Sequence, residues 1–239
     1  MHRFFAAPEQ FHEGSVTLDP SETRHLRDVL RVKPGDAVQV FDGAGREFTC
    51  RITAVSKKAA QLTIETEIQP SSPESPLDLT LAAAMLKGEK FDLVVQKAVE
   101  LGVRSLVPLR TIRCDVRPKE ALTRTDRWRR IALEATKQSG RATLMHVSEP
   151  VDFAKLISAT NSATILMFTE REGGKFITTT PVKKLTAIVG PEGGWDDSEI
   201  EAAKAAGLQV VTLSGRILRA ETAAIAVISI LQHRFGDLN

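Results

Sequence analysis

Residues 185–195, "LTAIVGPEGGW", decide how the larger part of this chain folds. The apolar, β-branched run at their start is typical of a strand buried on both faces of a parallel sheet. In the Pro-Glu-Gly-Gly turn that follows, Gly190, Gly193 and Gly194 allow the backbone to approach a ligand closely. An ordinary strand-to-helix turn would also explain the glycines, but it would not explain Glu192 between proline and glycine.

Outward from this stretch, short apolar runs alternate with helical patterns from residue 74 to residue 239. The strand-like runs are "LDLTLAAAM", "RSLVPL", "ATILMFT", "LTAIVG" and "LQVVTL". This alternation predicts an α/β domain with a mainly parallel sheet covered by helices on both faces. Ligands of such sheets bind beyond the carboxyl ends of the strands, which here carry "MFTE", "VGPEGG" and "LSGRILR". We therefore expect these three loops to form one site.

The last of these loops continues as "LSGRILRAETAA", residues 213–224. Arg216 and Arg219 lie about one helical turn apart, and Glu221 and Thr222 follow at the start of a predicted helix. Free backbone N–H groups at a helix start can bind anions or other acceptors. Alternatively, Glu221 only complements the helix dipole and pairs with the arginines. The spacing alone leaves both interpretations open.

Several common kinds of site are not indicated by this sequence. It contains neither G-x-G-x-x-G nor G-x-x-x-x-G-K-[ST], so neither a dinucleotide site nor a P-loop is predicted. Cys50 and Cys114 are the two cysteines, and their spacing is not that of metal ligands. We therefore expect no metal. After the glycine-rich turn, Asp196 and Glu199 have the spacing of a capping box that opens the next helix.

Residues 1–70 follow a different pattern, with short alternating strands joined by the turn "DGAG". A small β-barrel is the natural prediction for a segment of this size. The stretch "IQPSSPESPLD", residues 68–78, disfavours both helix and central strand, and we interpret it as a linker between two domains.

One short helix, "PSETRHLRDVLRV", is predicted before the strands of the hairpin, with Ser21 or Thr23 as its cap. Arg24, Arg27 and Arg31 fall at i, i+3 and i+7, which would place them on one helical face. That face is equally consistent with a phosphate-binding surface and with a solvated surface.

Composition and charge narrow the class of protein. The 239 residues carry a net charge of +2, but residues 104–141 hold 11 Lys and Arg against 4 Asp and Glu, a balance of +7. Such a segment can bind phosphates, although a solvated helix surface explains it slightly better.

The first ten residues have no apolar core of signal-peptide length. The apolar run of residues 223–231 is about half of the ~20 residues that span a bilayer. We expect a soluble, cytoplasmic protein without a membrane partner.

Several separated motifs resemble those of the RsmE family, in the same order along the chain. They are "KGEKFDLVVQKAVELGV", "EATKQSGR", "IVGPEGGW" and "LSGRILRAETAA", while "HLRDVLRVKPGDAVQVFDGAG" resembles the PUA-like RNA-binding domain of that family. The family belongs to the SPOUT superfamily of methyltransferases. The resemblance implies S-adenosylmethionine-dependent methylation of N3 of a uridine in bacterial 16S rRNA, as naked RNA or in the small subunit. It also implies a homodimer, a PUA-like β-barrel over 1–70, and a SPOUT domain with a trefoil knot over 74–239.

Site residues follow from the same resemblance. The cofactor is expected at Phe168, Thr169, Glu170, Gly190, Pro191, Glu192, Gly193, Gly194, Leu213, Ser214, Gly215, Ile217, Leu218, Thr222 and Ala223. RNA is expected at Arg3, Arg24, Arg27, Arg31, Lys87, Arg113 and Arg141. Arg219 is the candidate that stabilises the uracil anion, and Glu221 is a candidate base or orienting group.

Two other hypotheses remain at this stage. The first is a non-catalytic RNA-binding or ribosome-assembly protein that keeps the same fold, and the cofactor loops argue against it. The second is an enzyme of another class on an α/β sheet, such as a nucleotide hydrolase. The lack of a P-loop, a metal cluster or a Ser–His–Asp motif in the sequence argues against this second alternative.

Overall fold

The structure is a computed structural model that describes residues 1–116, 118–158, 164–171, 173–174, 182–213 and 215–238. The chain divides into two compact units. The first comprises Met1–Glu74 and Thr136–Leu144, and the second comprises Ser75–Ala135 and Met145–Asn239.

The first unit is built on a six-stranded sheet. Its strands are β1 (Arg3–Phe5), β2 (Phe11–His12), β3 (Ser15–Leu18), β4 (Ala37–Phe41), β5 (Glu47–Val55) and β6 (Ala60–Ile68), in the spatial order β1-β4-β5-β6-β3-β2. The pair β1 and β4 is parallel, and the other pairs are antiparallel. Alternate side chains such as Val38, Val40, Ile52 and Leu62 are buried in one apolar core, as the period of two predicts.

The predicted hairpin turn joins β4 to β5. The Asp42 carboxylate accepts hydrogen bonds from the backbone N–H groups of Ala44 at 2.8 Å and Arg46 at 3.1 Å. Gly43 and Gly45 have φ values of 75° and 106°, which residues with a Cβ rarely adopt. The "DGAG" turn is therefore confirmed.

The predicted helix is shorter than the pattern suggested, and its cap is different. Helix α1 spans Pro20–Arg24, and the side chain of Asp19 accepts from the backbone N–H groups of Ser21 at 2.7 Å and Glu22 at 2.8 Å. Asp19 is thus the cap, not Ser21 or Thr23. The proline after Asp19 occupies the first helical position, where no N–H is needed.

A π-helical turn, His25–Val29, follows α1 and ends the regular helix. Arg31 then has a left-handed φ of 54°. Arg24, Arg27 and Arg31 therefore do not form the single α-helical stripe that their spacing predicted. The Arg27 guanidinium contacts the adjacent Asp28 at 2.6 Å, and this hydrogen bond lowers the pKa of the Asp28 carboxyl.

Residues 136–144, which the sequence analysis assigned to 74–239, belong to the first unit. The Arg3 guanidinium donates to the carbonyl oxygens of Thr136 at 3.0 Å and Arg141 at 2.7 Å, and pairs with Glu47 at 2.6 Å. Lys137 pairs with the buried Glu22. Because a buried carboxylate needs a charged partner, these pairs fix the segment against the sheet.

The same segment contains the contacts of two residues that were predicted to bind RNA, Arg3 and Arg141. Arg3 is enclosed by acceptors of the protein, and its guanidinium also lies 4.3 Å from the ring centre of Phe41. Arg141 is 3% exposed and pairs with Glu74 at 2.7 Å. Both guanidinium groups form buried ion pairs within the protein, so we do not propose either residue for RNA binding.

The second unit is an α/β domain with a parallel sheet, as predicted. Its strands are β7 (Asp78–Ala84), β8 (Ser105–Arg110), β9 (His146–Val147), β10 (Val151–Asp152), β11 (Thr164–Thr169), β12 (Lys184–Val189) and β13 (Gln209–Thr212). Their spatial order is β10-β8-β7-β12-β11-β13, with β9 also paired to β8, and every pairing is parallel. Its helices are α2 (Lys90–Glu100), α3 (Pro118–Ser139), α4 (Phe153–Ser158), α5 (Asp197–Ala205) and α6 (Ala220–Phe235).

Helices cover both faces of this sheet. Leu81 of β7 and Ala187 of β12 pack in one core with residues of α2, α3 and α6. The next residues along the same strands, Ala82 and Ile188, pack in a second core with residues of α4 and α5. Since successive strand side chains point to opposite faces, two separate cores require helices on both sides.

The loops after β11, β12 and β13 all lie at the carboxyl edge of the sheet. The predicted capping box opens α5, with Ser198 N–H donating to Asp196 and Asp196 N–H donating to Glu199, both at 3.1 Å. The two-residue strands β9 and β10 and the short helix α4 were not predicted. The trefoil knot implied by the resemblance stays a prediction.

Candidate active site

A cavity of about 460 Å³ lies at the carboxyl edge of the parallel sheet, where the sequence predicted a site. Three chain segments line it: residues 168–170 after β11, residues 189–195 after β12, and residues of the stretch 212–223 that leads into α6. Lys90, at the start of α2, completes the lining. The volume lies within the range of small-molecule sites in proteins.

Residues 189–195 form what we name the tied wall of the cavity. The Trp195 ring is fully buried and packs on Phe153 with 5.1 Å between ring centres. Its Nε1–H donates to the Phe168 carbonyl oxygen at 2.8 Å, which joins this loop to the one after β11. A Cβ at Gly190 would lie 2.7 Å from Trp195 Nε1, so only glycine fits there.

Glu192, at the tip of the tied wall, is held by an ion pair with Lys90. The Lys87 backbone N–H also donates to its carboxylate, at 3.4 Å. The hydrogen bond from Lys90 lowers the pKa of the Glu192 carboxyl below its usual value. The question that the sequence raised about Glu192 thus has a structural answer, because the side chain connects the loop to the start of α2.

Two predicted RNA-binding residues lie beside the tied wall. The Arg113 guanidinium donates to Asp196 at 3.1 Å and to the Gly193 carbonyl oxygen at 3.4 Å. Lys87 pairs with Asp115 at 2.7 Å, and both of these side chains are mostly exposed to solvent. Exposed ion pairs of this kind are weak, so the side chains of Arg113 and Lys87 both remain accessible to a polyanion.

Residues 215–219 form what we name the open wall. All five are exposed, and the Ile217 side chain is 84% exposed although it is aliphatic. In the parts of the chain that the structure describes, the side chains of Arg216 and Arg219 have no hydrogen-bond or ion-pair partner. Both arginines line the cavity.

Glu221 follows the open wall at the first turn of α6. Its Oε2 atom is buried and has no hydrogen-bond partner within the described ranges. It forms no ion pair there with Arg219, contrary to the alternative that the sequence left open. A buried carboxylate oxygen without a donor is costly, and a bound donor group would remove that cost.

The structure brings together most of the residues predicted for the cofactor. Those that line the cavity are Phe168, Thr169, Glu170, Gly190, Pro191, Glu192, Gly193, Gly194, Leu213, Gly215, Ile217, Leu218 and Ala223, together with the catalytic candidates Arg219 and Glu221. Thr222 is exposed and is not part of the lining, and Ser214 lies outside the described residues. Lining residues that the prediction missed are Lys90, Val189, Trp195, Thr212, Arg216 and Ala220. Of these, Trp195 carried a usable signal, since it directly follows the glycine pair.

Neither a metal-ligand cluster nor a membrane-spanning helix occurs among the described residues. The described residues contain no group of three or more His, Cys, Asp or Glu side chains arranged to hold a metal ion. Among the described helices, none combines the length and apolarity that a membrane span needs.

Comparison with known proteins defines the class of this molecule. Residues 73–232 match the RNA methyltransferase domain family, and residues 18–65 match the RNA methyltransferase PUA domain family. The parallel sheet with its edge cavity and the six-stranded sheet before it therefore belong to an RNA methyltransferase with a PUA domain.

Individual relatives narrow this class to one family. Ribosomal RNA small subunit methyltransferase E of Synechocystis is 35% identical over 93% of this chain and 74% of its own length. The protein of that name from Aquifex aeolicus is 31% identical over 98% of this chain and 100% of its own length. A crystal structure of the Neisseria gonorrhoeae protein of that name, bound to S-adenosyl methionine, is 37% identical, covers 100% of both chains and has a TM-score of 0.91. This chain belongs to the ribosomal RNA small subunit methyltransferase E family.

Proposed function

We propose that this protein transfers a methyl group from S-adenosylmethionine to N3 of a specific uridine in bacterial 16S rRNA. The observation that carries the proposal is the cavity at the carboxyl edge of the parallel sheet, formed by the three loops whose motifs define the family. The relative from Neisseria gonorrhoeae, which covers the whole chain, has been crystallised with S-adenosyl methionine.

The residues of the cavity fit such a cofactor. The tied wall offers backbone groups at Gly190, Gly193 and Gly194, and the first turn of α6 offers a buried carboxylate oxygen that lacks a donor. Bound S-adenosylmethionine supplies a sulfonium methyl group that a nucleophile can displace in line. The protein therefore has to place the nucleophile and to hold both partners, which is catalysis largely by positioning.

The nucleophile, N3 of uridine, carries a proton at neutral pH and must lose it. The Arg219 side chain has no partner among the described residues, and its guanidinium can stabilise the negative charge that then spreads over N3 and the flanking carbonyl oxygens. One oxygen of the Glu221 carboxylate is likewise unpaired there, and the carboxylate can accept the proton or orient the base. No histidine lines the cavity among the described residues.

RNA binding is proposed for cations that stay accessible. Arg24, Arg27 and Arg31 belong to the first unit, and Lys87 and Arg113 lie beside the tied wall in the second. Because N3 lies on the Watson–Crick edge, the target uridine must be unpaired or flipped out of a helix. The homodimer and the cytoplasmic location implied by the resemblance are parts of this proposal.

Mass spectrometry of nucleosides tests the proposal. Small subunits from a strain that lacks the gene are incubated with the purified protein and S-adenosylmethionine that carries a deuterated methyl group. The expected product is deuterated 3-methyluridine at one position of 16S rRNA. Tight binding of the RNA without any labelled nucleoside would favour a non-catalytic RNA-binding protein. A label on another atom would contradict the proposed chemistry.

A further inference from the structure

Arg171, the residue after the cavity-lining segment 168–170, links the loop after β11 to the tied wall. Its guanidinium makes three contacts that use all three of its nitrogen atoms. Nε lies 3.2 Å from Glu170 Oε1, and Nη1 lies 3.2 Å from the Asp197 carboxylate. Nη2 donates to the Trp195 carbonyl oxygen. The planar guanidinium holds its donors in a fixed geometry, so it sets the distance between the two loops.

A second link joins the same two loops at their other end. Trp195 Nε1–H donates to the Phe168 carbonyl oxygen, and the ring is fixed by its burial against Phe153. The two links leave little freedom to the residues between them, Thr169 and Glu170, and both of these line the cavity. The position of the Glu170 side chain is therefore determined before any ligand binds.

Glu170 is placed by contact as well as by charge. A Cβ on Gly194 would overlap Glu170 Oε1, and Gly194 has a left-handed φ of 68°. The carboxylate thus rests on bare backbone of the tied wall while Arg171 contacts it from the loop after β11. The sequence predicts that Gly194 lets a ligand approach closely. In the structure, the Glu170 side chain occupies the space that a Cβ at this position would need.

The chemistry of this carboxylate indicates what it binds. An ionised carboxylate only accepts hydrogen bonds, and the guanidinium at 3.2 Å already offsets its charge. A cationic ligand group therefore gains less here than at Glu221, whose buried oxygen has no partner among the described residues. Neutral donors suit Glu170 better. A carboxylate with two oxygens can accept from two donors on adjacent carbon atoms, and in a nucleoside the two ribose hydroxyl groups form such a pair.

We propose that Glu170 accepts a hydrogen bond from the ribose hydroxyls of the bound cofactor, and that Arg171 is the positioning residue that holds this carboxylate against Gly194. The inference rests on the proposed function, since it assigns a part of the cofactor to a part of that cavity. Trp195 supports the same arrangement through the Phe168 carbonyl group.

Calorimetry with two ligands tests this assignment on the full-length protein. The ligands are S-adenosylhomocysteine and its analogue that lacks both ribose hydroxyls. The unmodified protein is expected to bind the dideoxy analogue at least about tenfold more weakly, the loss of one hydrogen bond to a charged acceptor. In Glu170→Ala, which removes the acceptor, and in Arg171→Gln the ratio of the two affinities is expected to fall toward one, because the parent ligand alone loses affinity.

A matched control is Arg110→Gln, which removes another arginine–aspartate pair, to Asp152 at 2.7 Å, from a residue that does not line the cavity. The control should keep the full tenfold ratio. A full ratio in Arg171→Gln would overturn the positioning role, and a full ratio in Glu170→Ala would overturn the ribose contact. Glu170 is partly exposed, so this variant folds even if Arg171→Gln does not. If the unmodified protein binds neither ligand, the proposed function itself fails.

Discussion

The tied wall and the open wall border the same cavity, but they are built in opposite ways. In the tied wall, Trp195 is buried and hydrogen-bonded, and Glu192 is ion-paired to Lys90. In the open wall, Arg216 and Arg219 have no partner among the described residues, and Ile217 is almost fully exposed. We propose that the tied wall, which is held by internal contacts, binds the cofactor before the RNA arrives. The guanidinium groups of Arg216 and Arg219 on the open wall would then gain their contacts from the RNA substrate.

The largest effect is expected from the open wall. Arg219→Ala should slow methyl transfer by about 10²–10³-fold, because a preorganised donor that stabilises developing charge acts in the transition state. The dissociation constant of S-adenosylmethionine should stay nearly unchanged, since the Arg219 side chain forms no hydrogen bond or ion pair with another cavity residue among those described. Single-turnover kinetics with saturating cofactor and rRNA measure the rate.

The control for this variant is Arg130→Ala, an exposed arginine of α3 outside the cavity lining. Its rate should equal that of the unmodified protein. A near-normal rate for Arg219→Ala would remove this residue from the mechanism.

Glu221→Gln separates catalysis from stability. The rate should fall by about 10²-fold, because an amide cannot accept a proton. At the same time the melting temperature without cofactor should rise by about 2–4 °C, because the change replaces a carboxylate, one of whose oxygens is buried without a donor among the described residues, with a neutral amide. Glu201→Gln, on the exposed part of α5, should change neither quantity. A lower melting temperature in Glu221→Gln would mean that the carboxylate stabilises the protein without ligand.

Gly194→Ala tests the tied wall. The added methyl group overlaps Glu170 Oε1, so the carboxylate must move, and S-adenosylmethionine should bind about 10- to 100-fold more weakly. Gly193→Ala should have a smaller effect, because the φ of Gly193 is not left-handed and its Cβ would meet Arg113 at longer distances, 3.2 Å to Cβ and 3.6 Å to the carbonyl oxygen.

Gly207→Ala is the matched control, with a similar φ of 78° and no atom within 4 Å of the added Cβ. It carries the same backbone strain without the overlap and should bind the cofactor normally. Equal affinity losses in the Gly194 and Gly207 variants would attribute the effect to strain alone.

The smallest effect is expected at the ion pair of the tied wall. Lys90→Met should lower the melting temperature at pH 7 by about 1–3 °C, as for other partly exposed pairs. Because Lys90 lowers the pKa of Glu192, this stabilisation is present above the ordinary carboxyl pKa and is lost as the pH falls through the lowered pKa. The two melting curves should therefore converge as the pH falls below this lowered pKa. A difference that stays constant from pH 7 into the acid range would contradict the assigned role of the pair.

The sequence predicted what depends on local pattern. The buried strands, the capping box of Asp196 and Glu199, and the three loops at one sheet edge follow from periodicity and from the geometry of parallel sheets. The ion pairs of Arg3 and Arg141 could not be predicted, because a positive charge says nothing about a partner far along the chain. The Glu47 carboxylate that pairs with Arg3 lies 44 residues away. The hydrogen bond of Trp195 could not be predicted for the same reason, since its acceptor, Phe168, lies in another element, 27 residues earlier.

The most direct test of the account is a calorimetric titration of S-adenosylmethionine into the full-length protein without RNA. The account predicts one site per chain, with the same affinity in Arg219→Ala and a 10- to 100-fold weaker affinity in Gly194→Ala. This result would show that the tied wall binds the cofactor before the substrate arrives. Binding that requires rRNA, or that is lost in Arg219→Ala and kept in Gly194→Ala, would contradict it.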